Sequence, residues 1–235
     1  MIVLGVDTSQ ALLTVSLVSG KKTIADYRSS RVLQHSTLMM PMIKKALHKS
    51  SLHVSDIALL AVGTGPGSFT GLRVGLTAMR SLAIALDRPI VGVASLDAIA
   101  CNGLTYLRRK AKMVRGVTVC PVIDAKKRMV YSALYKYNGS FLKRETEYLL
   151  EPAKDLARRL RGKILFIGDG YSLYKNEIMD CKKIKAIYAD APASRPKASV
   201  IAMLGINKYR EKGPDNPYDL EPMYLYAKDC NVKYA

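Results

Sequence analysis

The chain has 235 residues, 49% hydrophobic and 24% charged, the balance of a soluble globular protein with interior enough for a core. No apolar run reaches bilayer length, and "MIVLGVDTSQ" reads as a first strand, not a signal peptide. Four widely spaced cysteines (Cys101, Cys120, Cys181, Cys230) argue for reduced thiols in the cytosol and against a disulfide framework or a zinc knuckle.

The net charge of +18 is uneven: residues 1–104 hold 10 Lys+Arg against 5 Asp+Glu, and residues 105–235 hold 27 against 14. The excess gathers in "RRKAKMVR" (108–115), "KKR" (126–128), "RRLRGK" (158–163) and "KKIK" (182–185). It is either solvated surface or a footprint for an anion such as RNA. No aromatic-rich recognition motif accompanies it, which argues against sequence-specific reading by this chain alone.

In chain order, "IVLGVDTS" (2–9), "LLTVSLVS" (12–19) and "TIADYRSS" (23–30) read as a three-stranded meander. A helix follows over 36–50, capped by Ser36 or Thr37, with Pro41 near its first turn or bending it. "IALLAVG" (57–63) reads as a buried parallel strand, 70–87 as a helix, and "IVGVASLDAIA" (90–100) as a strand running into a helix. The second half repeats the order: strands at 117–124, 128–139 and 141–150, a helix at 153–161, a strand at 163–170, a helical stretch near 171–180, a strand at 184–190 and a helix at 198–211. Asp7 ends the first strand of one copy and Asp124 the first strand of the other, with Gly20 and Gly139 closing the next strand. This predicts an α/β protein of duplicated βββαβαβ lobes facing a cleft. The first lobe spans 1–104 and the second 105–235, with the last helix free to pack back across the boundary.

Two stretches could carry chemistry. Asp7, Thr8 and Ser9 supply a carboxylate and two hydroxyls at a turn able to hold phosphates and a metal-bound water, or they simply close that turn by hydrogen bonds to backbone. Asp124, in "DAKK", lacks the hydroxyls and the glycine that a second phosphate turn would want. "GTGPGSFTGLRVG" (63–75) fits no nucleotide pattern: it lacks the lysine of a P-loop and the third glycine of Gly-x-Gly-x-x-Gly. Nor is it a nucleophile elbow, because Pro66 and Thr70 stand where Gly-x-Ser-x-Gly needs glycine. Gly67, Gly71 and Gly75, then Ala78, form a stripe beside the apolar edge of Leu72, Leu76, Met79, Ala83 and Leu86. Helical glycine costs about 1 kcal/mol against alanine, so the stripe requires close packing, either inside its own lobe or against another molecule. His35, His48 and His53 have no helical pairing, and no metal site is expected.

"IVLGVDTS", "GPGSFTGLRVG" (65–75), "GVASLDAIA" (92–100) and "VIDAKKRMVY" (122–131) resemble the TsaB (YeaZ) family, across most of the chain in order and less clearly after residue 190. The resemblance implies an actin-like ATPase (RNase H-like) fold. It also implies a non-catalytic subunit of the bacterial complex that forms threonylcarbamoyladenosine beside the tRNA anticodon. Expected partners are a catalytic TsaD-like paralogue, a TsaE-like ATPase and, through the assembled complex, tRNA. The chain is expected to form a homodimer when alone and to need no membrane. No cofactor of its own is implied; ATP and metal belong to partner subunits. The paralogue holds its metal through His-x-x-x-His on the segment matching 92–100, and here those positions are Ser95 and Ile99. The paralogue is expected to pack on the first two helices, through Met39, Met42, Ile43, Gly71, Arg73, Gly75, Ala78 and Met79, which gives the glycine stripe an intermolecular role. Asp7, Thr8, Ser9 and Asp124 are then vestigial phosphate turns. Two alternatives stay open: an independent ATPase or small-molecule kinase using Asp7, Thr8 and Asp124, and a free-standing basic RNA-binding protein.

Overall fold

The first three apolar runs form an antiparallel meander, β1 (Ile2–Asp7), β2 (Thr14–Ser19) and β3 (Lys22–Arg28). Helix α1 (His35–Lys49) leads to β4 (Ile57–Gly65), which pairs parallel to β1; α2 (Phe69–Ala85) then leads to β5 (Ile90–Ala94), parallel to β4. The sheet order is β3-β2-β1-β4-β5. The computed structural model describes residues 1–109, 116–137, 142–179, 184–189 and 194–226. Most of the basic run 108–115, with Lys182, Lys183, Gly139, Cys181 and Cys230, lies outside them.

The period of two along a strand sends alternate side chains to opposite faces. Leu4 and Val6 of β1 face α1 and α2, where they meet Met39, Ile43, Leu76 and Met79. Val3 faces the other side, with Leu59, Ala61 and Val91. That side is covered by Ile201, Ala202 and Ile206 of α6 (Ala198–Lys212), the last helix of the described chain. A Cβ on Gly5 would overlap the Ala198 carbonyl oxygen, so β1 and α6 touch backbone to backbone.

Helix α3 (Ser95–Arg109) leads from the first sheet to the second, where Leu96, Ile99 and Leu107 join the core. The second sheet starts with β6 (Val117–Asp124). The two strands expected next are each broken, into β7 (Met129–Ser132) with β8 (Tyr135–Tyr137), and β9 (Leu142–Arg144) with β10 (Leu149–Pro152). The reason for the first break is Pro121. Pairing runs Val119↔Tyr135 and resumes at Val122↔Ser132 in unchanged register, so the gap falls where proline has no N–H to donate. Across the second break Glu145 N donates to Leu134 O and Leu134 N donates to Thr146 Oγ1. Then come α4 (Ala153–Arg159), β11 (Gly162–Ile167), α5 (Asp169–Met179) and β12 (Ile184–Tyr188). The main path is β10-β7-β6-β11-β12, the same order as in the first sheet. Two βββαβαβ units so arranged, as the repeat predicted, make the actin-like ATPase (RNase H-like) fold that the resemblance implied.

Two local expectations change. Helix α1 is capped by Gln34 and begins at His35, not after Ser36 or Thr37, and Pro41 is its seventh residue, past the first turn. Among the described residues no helix is long and apolar enough to cross a membrane.

Candidate functional site

β1 delivers Asp7 to the point where parallel sheets present their ligands, outside the carboxyl ends of the strands. The carboxylate is wholly engaged there. Oδ1 accepts from Ser9 N at 2.9 Å and from Ser9 Oγ at 2.7 Å, and Oδ2 accepts from Ser95 Oγ at 2.7 Å. Ser95 Oγ in turn accepts from Gly65 N at 3.2 Å. Asp7 is 1% exposed and Thr8 and Ser9 are equally buried. Burial pushes the Asp7 carboxyl above its ordinary value of 3.8, against the pull of the Ser9 and Ser95 hydrogen bonds.

The glycines of "GTGPGSFTGLRVG" surround this turn. A Cβ on Gly63 would strike Asp7 Oδ2, on Gly67 the Ser9 carbonyl, on Gly71 the Thr8 carbonyl and on Gly75 Thr8 Oγ1. Ser68 N donates to Ser9 O at 2.7 Å, and Ser68 Oγ caps α2 by accepting from Gly71 N at 3.2 Å. His35 closes the remaining side with its ring against Gly71. It is buried, and burial holds its pKa below 6.5. The segment is a cradle for the chain's own β1–β2 turn. The intermolecular reading of the stripe is therefore corrected: Gly71 and Gly75 are buried against Thr8.

Met39, Ile43 and Met79 are corrected with them, being no more than 2% exposed in the core of the first lobe. A partner cannot reach them. Of the expected pairing residues, Arg73 is exposed, and Met42 and Ala78 are half-buried. Leu72, Leu76 and Ala83 turn inward as expected. The exposed apolar side chains on these two helices are instead Met40 at 40%, Phe69 at 38% and Ile84 at 46%, with Leu33 at 72% just before α1.

The second turn is built differently. Asp124 Oδ1 accepts from Lys126 N at 2.8 Å and Tyr174 OH at 2.9 Å, and Oδ2 pairs with Lys126 Nζ at 2.7 Å. Burial opposes ionisation of Asp124, but the Lys126 bonds outweigh it and hold the carboxyl below its ordinary value. Lys126, Lys127 and Arg128 follow with φ of 64°, 50° and 62°, three left-handed residues in succession. Arg128 is tied back by Glu177 at 2.9 Å. Asp169, at the start of α5, is pushed up by burial and by the nearby Asp124 charge.

A segment that no motif announced joins the end of β4 to the turn after β6. Asp215 N donates to Ile90 O at 2.9 Å and Met223 N to Thr64 O at 2.8 Å. Tyr224 packs on Phe69 with ring centroids 5.3 Å apart and accepts from Arg73 Nε at 3.0 Å. Tyr226 OH donates to Ala125 O at 2.8 Å, and its ring meets Tyr131 edge-on.

An actin-like ATPase fold implies a nucleotide and a metal at these turns, and the residues do not fit either. Both Asp7 oxygens accept hydrogen bonds in a turn that is 1% exposed, Thr8 is packed against Gly71 and Gly75, and the Ala125 carbonyl accepts from Tyr226 OH. Ser95 serves Asp7 and Ile99 is core. Among the described residues no three His, Cys, Asp or Glu side chains gather to hold a metal ion.

The family model for TsaD, described as tRNA N6-adenosine threonylcarbamoyltransferase, matches residues 29–229. The chain is 30% identical to the tRNA threonylcarbamoyladenosine biosynthesis protein TsaB of Bacillus subtilis, over 100% of this chain and 98% of that protein. It is 28% identical to the protein of the same description from Escherichia coli, over 96% and 94%. In structure it resembles YeaZ from Pseudomonas aeruginosa with a TM-score of 0.80 at 23% identity, covering 95% and 99% of the two chains. On a relative that is 30% identical and matched over the whole of this chain, the chain belongs to the TsaB (YeaZ) family.

Proposed function

We propose that this chain is a non-catalytic subunit in the formation of threonylcarbamoyladenosine in tRNA, binding and activating a catalytic TsaD-like paralogue in the cytosol. Family membership supports the pathway. The single observation that supports a non-catalytic role is the closed Asp7 turn, whose carboxylate is spent on Ser9 and Ser95. ATP and metal then belong to the partners, the paralogue and a TsaE-like ATPase. The pairing surface is the outer face of α1 and α2, with Met40, Met42, Arg73, Ala78 and Ile84 available to a partner helix. Two copies of this chain pair through the same face when the paralogue is missing. The basic residues of 105–235 serve the assembled complex by attracting tRNA phosphates, a contribution that falls steeply with salt.

The test is reconstitution. With TsaD-like and TsaE-like subunits, ATP, threonylcarbamoyl adenylate as the group donor and tRNA, modification is expected only when this chain is added; product formed without it overturns the role. Met40→Glu and Ile84→Glu each put a charge into the pairing face, and each is expected to weaken the paralogue's binding by more than about tenfold while the chain stays folded. Full affinity in both would move the surface elsewhere. ATP turnover by the chain alone would favour the kinase reading instead.

A further inference from the structure

The crevice outside the carboxyl ends of parallel strands is where α/β sheets take their ligands. In this chain residues 215–226 start beside the amino end of β5, follow α2, and reach that crevice at residues 223–226. The segment is anchored at its start on the first lobe: Asp215 bonds Ile90 O and Gly92 N, and pairs with Lys208 at 2.6 Å. Arg80 holds the carbonyls of Tyr218 and Leu220 from α2, and Leu220 packs against the first core. Met223 N reaches Thr64 O near the end of β4. Three residues later the segment is on the other lobe. Leu225 and Tyr226 pack against the core of the second sheet, and Tyr226 OH donates to Ala125 O just beyond β6.

We propose that residues 215–226 are a strap whose end, residues 223–226, is a built-in occupant of the interlobe crevice, taking the place of a ligand and clamping the lobes at a fixed angle. The lobes are otherwise joined by α3 and by the approach to α6, where Asn102 Nδ2 donates to Arg195 O. Both of those joints lie on the α6 side of the first sheet. The strap adds a connection at the carboxyl ends of β4 and β6. An interlobe crevice left open would let the lobes swing about α3. With Tyr226 seated, the end of β4 and the turn after β6 are tied through backbone carbonyls, Thr64 on one side and Ala125 on the other.

A clamp differs from two local anchors in being felt across the crevice, and that difference is measurable in the full chain. Tyr226→Ala removes the Tyr226 part of the second-lobe anchor and leaves the first-lobe contacts and Leu225 in place. Amide hydrogen exchange is then read at Met223, whose N–H is held by the first lobe, together with the radius of gyration from small-angle scattering. Exchange at Met223 is expected to quicken about tenfold and the radius to rise. Tyr226→Phe, which loses only the hydroxyl bond to Ala125 O, serves as the gentler variant and moves both readouts in the same direction by less. Tyr218→Ser alters a 69% exposed side chain of the same segment away from the crevice and leaves both unchanged. Parental exchange at Met223 and a parental radius in Tyr226→Phe and in a folded Tyr226→Ala would overturn the clamp. That outcome leaves paralogue binding through α1 and α2 untouched, so the two proposals fail separately.

Discussion

At Gly71 the methyl of an alanine has nowhere to go, because the Thr8 carbonyl oxygen already occupies the place. Helix propensity alone favours Gly71→Ala by about 1 kcal/mol. Overlap with fixed backbone outweighs it, so the substitution is expected to cost about 2–4 kcal/mol in urea unfolding. A net gain would put this edge of α2 back on the outside. At Gly75 the obstacle is a side chain, Thr8 Oγ1. Gly75→Ala is therefore expected to be partly relieved by Thr8→Ala, with a coupling of about 1–2 kcal/mol in a double-mutant cycle. Asp7 gives a different signature. Its folded pKa lies above the ordinary 3.8, so the fold holds this proton more tightly than the unfolded chain does. The stability tied to it is full below pH 3.8 and is lost as pH rises through the folded value. Asp7→Asn has no charge to desolvate. The parent's deficit against it should widen above pH 3.8 and then level off, in denaturant titrations at each pH; a pH-independent difference would contradict the assigned cost.

The elements were largely legible, and the exceptions have physical reasons. Alternating or continuous apolar runs fixed by turn residues located β1 to β5, because each strand is decided by its own burial pattern. The break between β7 and β8 depends on Pro121 in the neighbouring strand, which a reading along 128–139 alone does not see. Helix α1 escaped its predicted cap because Gln34 carries no short side-chain oxygen. Pro41 fits poorly within that helix: it cannot donate to the Thr37 carbonyl one turn back. Pro41 and Thr37 are both exposed, so Pro41→Ala is expected to raise stability by about 1–3 kcal/mol, measured as a higher midpoint of thermal unfolding. No gain would mean the proline is compensated by the packing of α1 on α2. The glycine stripe was visible as a stripe, but its partner was not. Spacing states that something must come close; only the fold says that it is residues 7–9 of the same chain.

At the scale of the molecule, the duplication was readable because both halves repeat one order of elements and end their first strand in aspartate. What each half does with that aspartate was not. Asp7 is walled in by glycine backbone and serine hydroxyls, while Asp124, its side chain 8% exposed, is neutralised by the exposed Lys126. The difference comes from contacts far apart in the chain, Ser95 for one and Tyr174 for the other. The strap was the least legible part, since residues 215–226 carry neither helical nor strand periodicity and meet partners more than 100 positions away.

The return of α6 to the first sheet also sets an order of events during synthesis. β1 leaves the ribosome before α6, yet one of its faces, with Val3 and Gly5, is covered mainly by residues 198–206. The nascent first lobe must therefore wait, one side of its sheet bare, while the whole second lobe is made. Chains stopped short of Ala198 leave Leu59, Ala61 and Val91 without their cover from α6. Long-range closure of this kind slows folding, because loop entropy is spent before the contact forms. The native state is sealed by a part of the chain made late, so an incomplete chain differs from a finished one by an open apolar face.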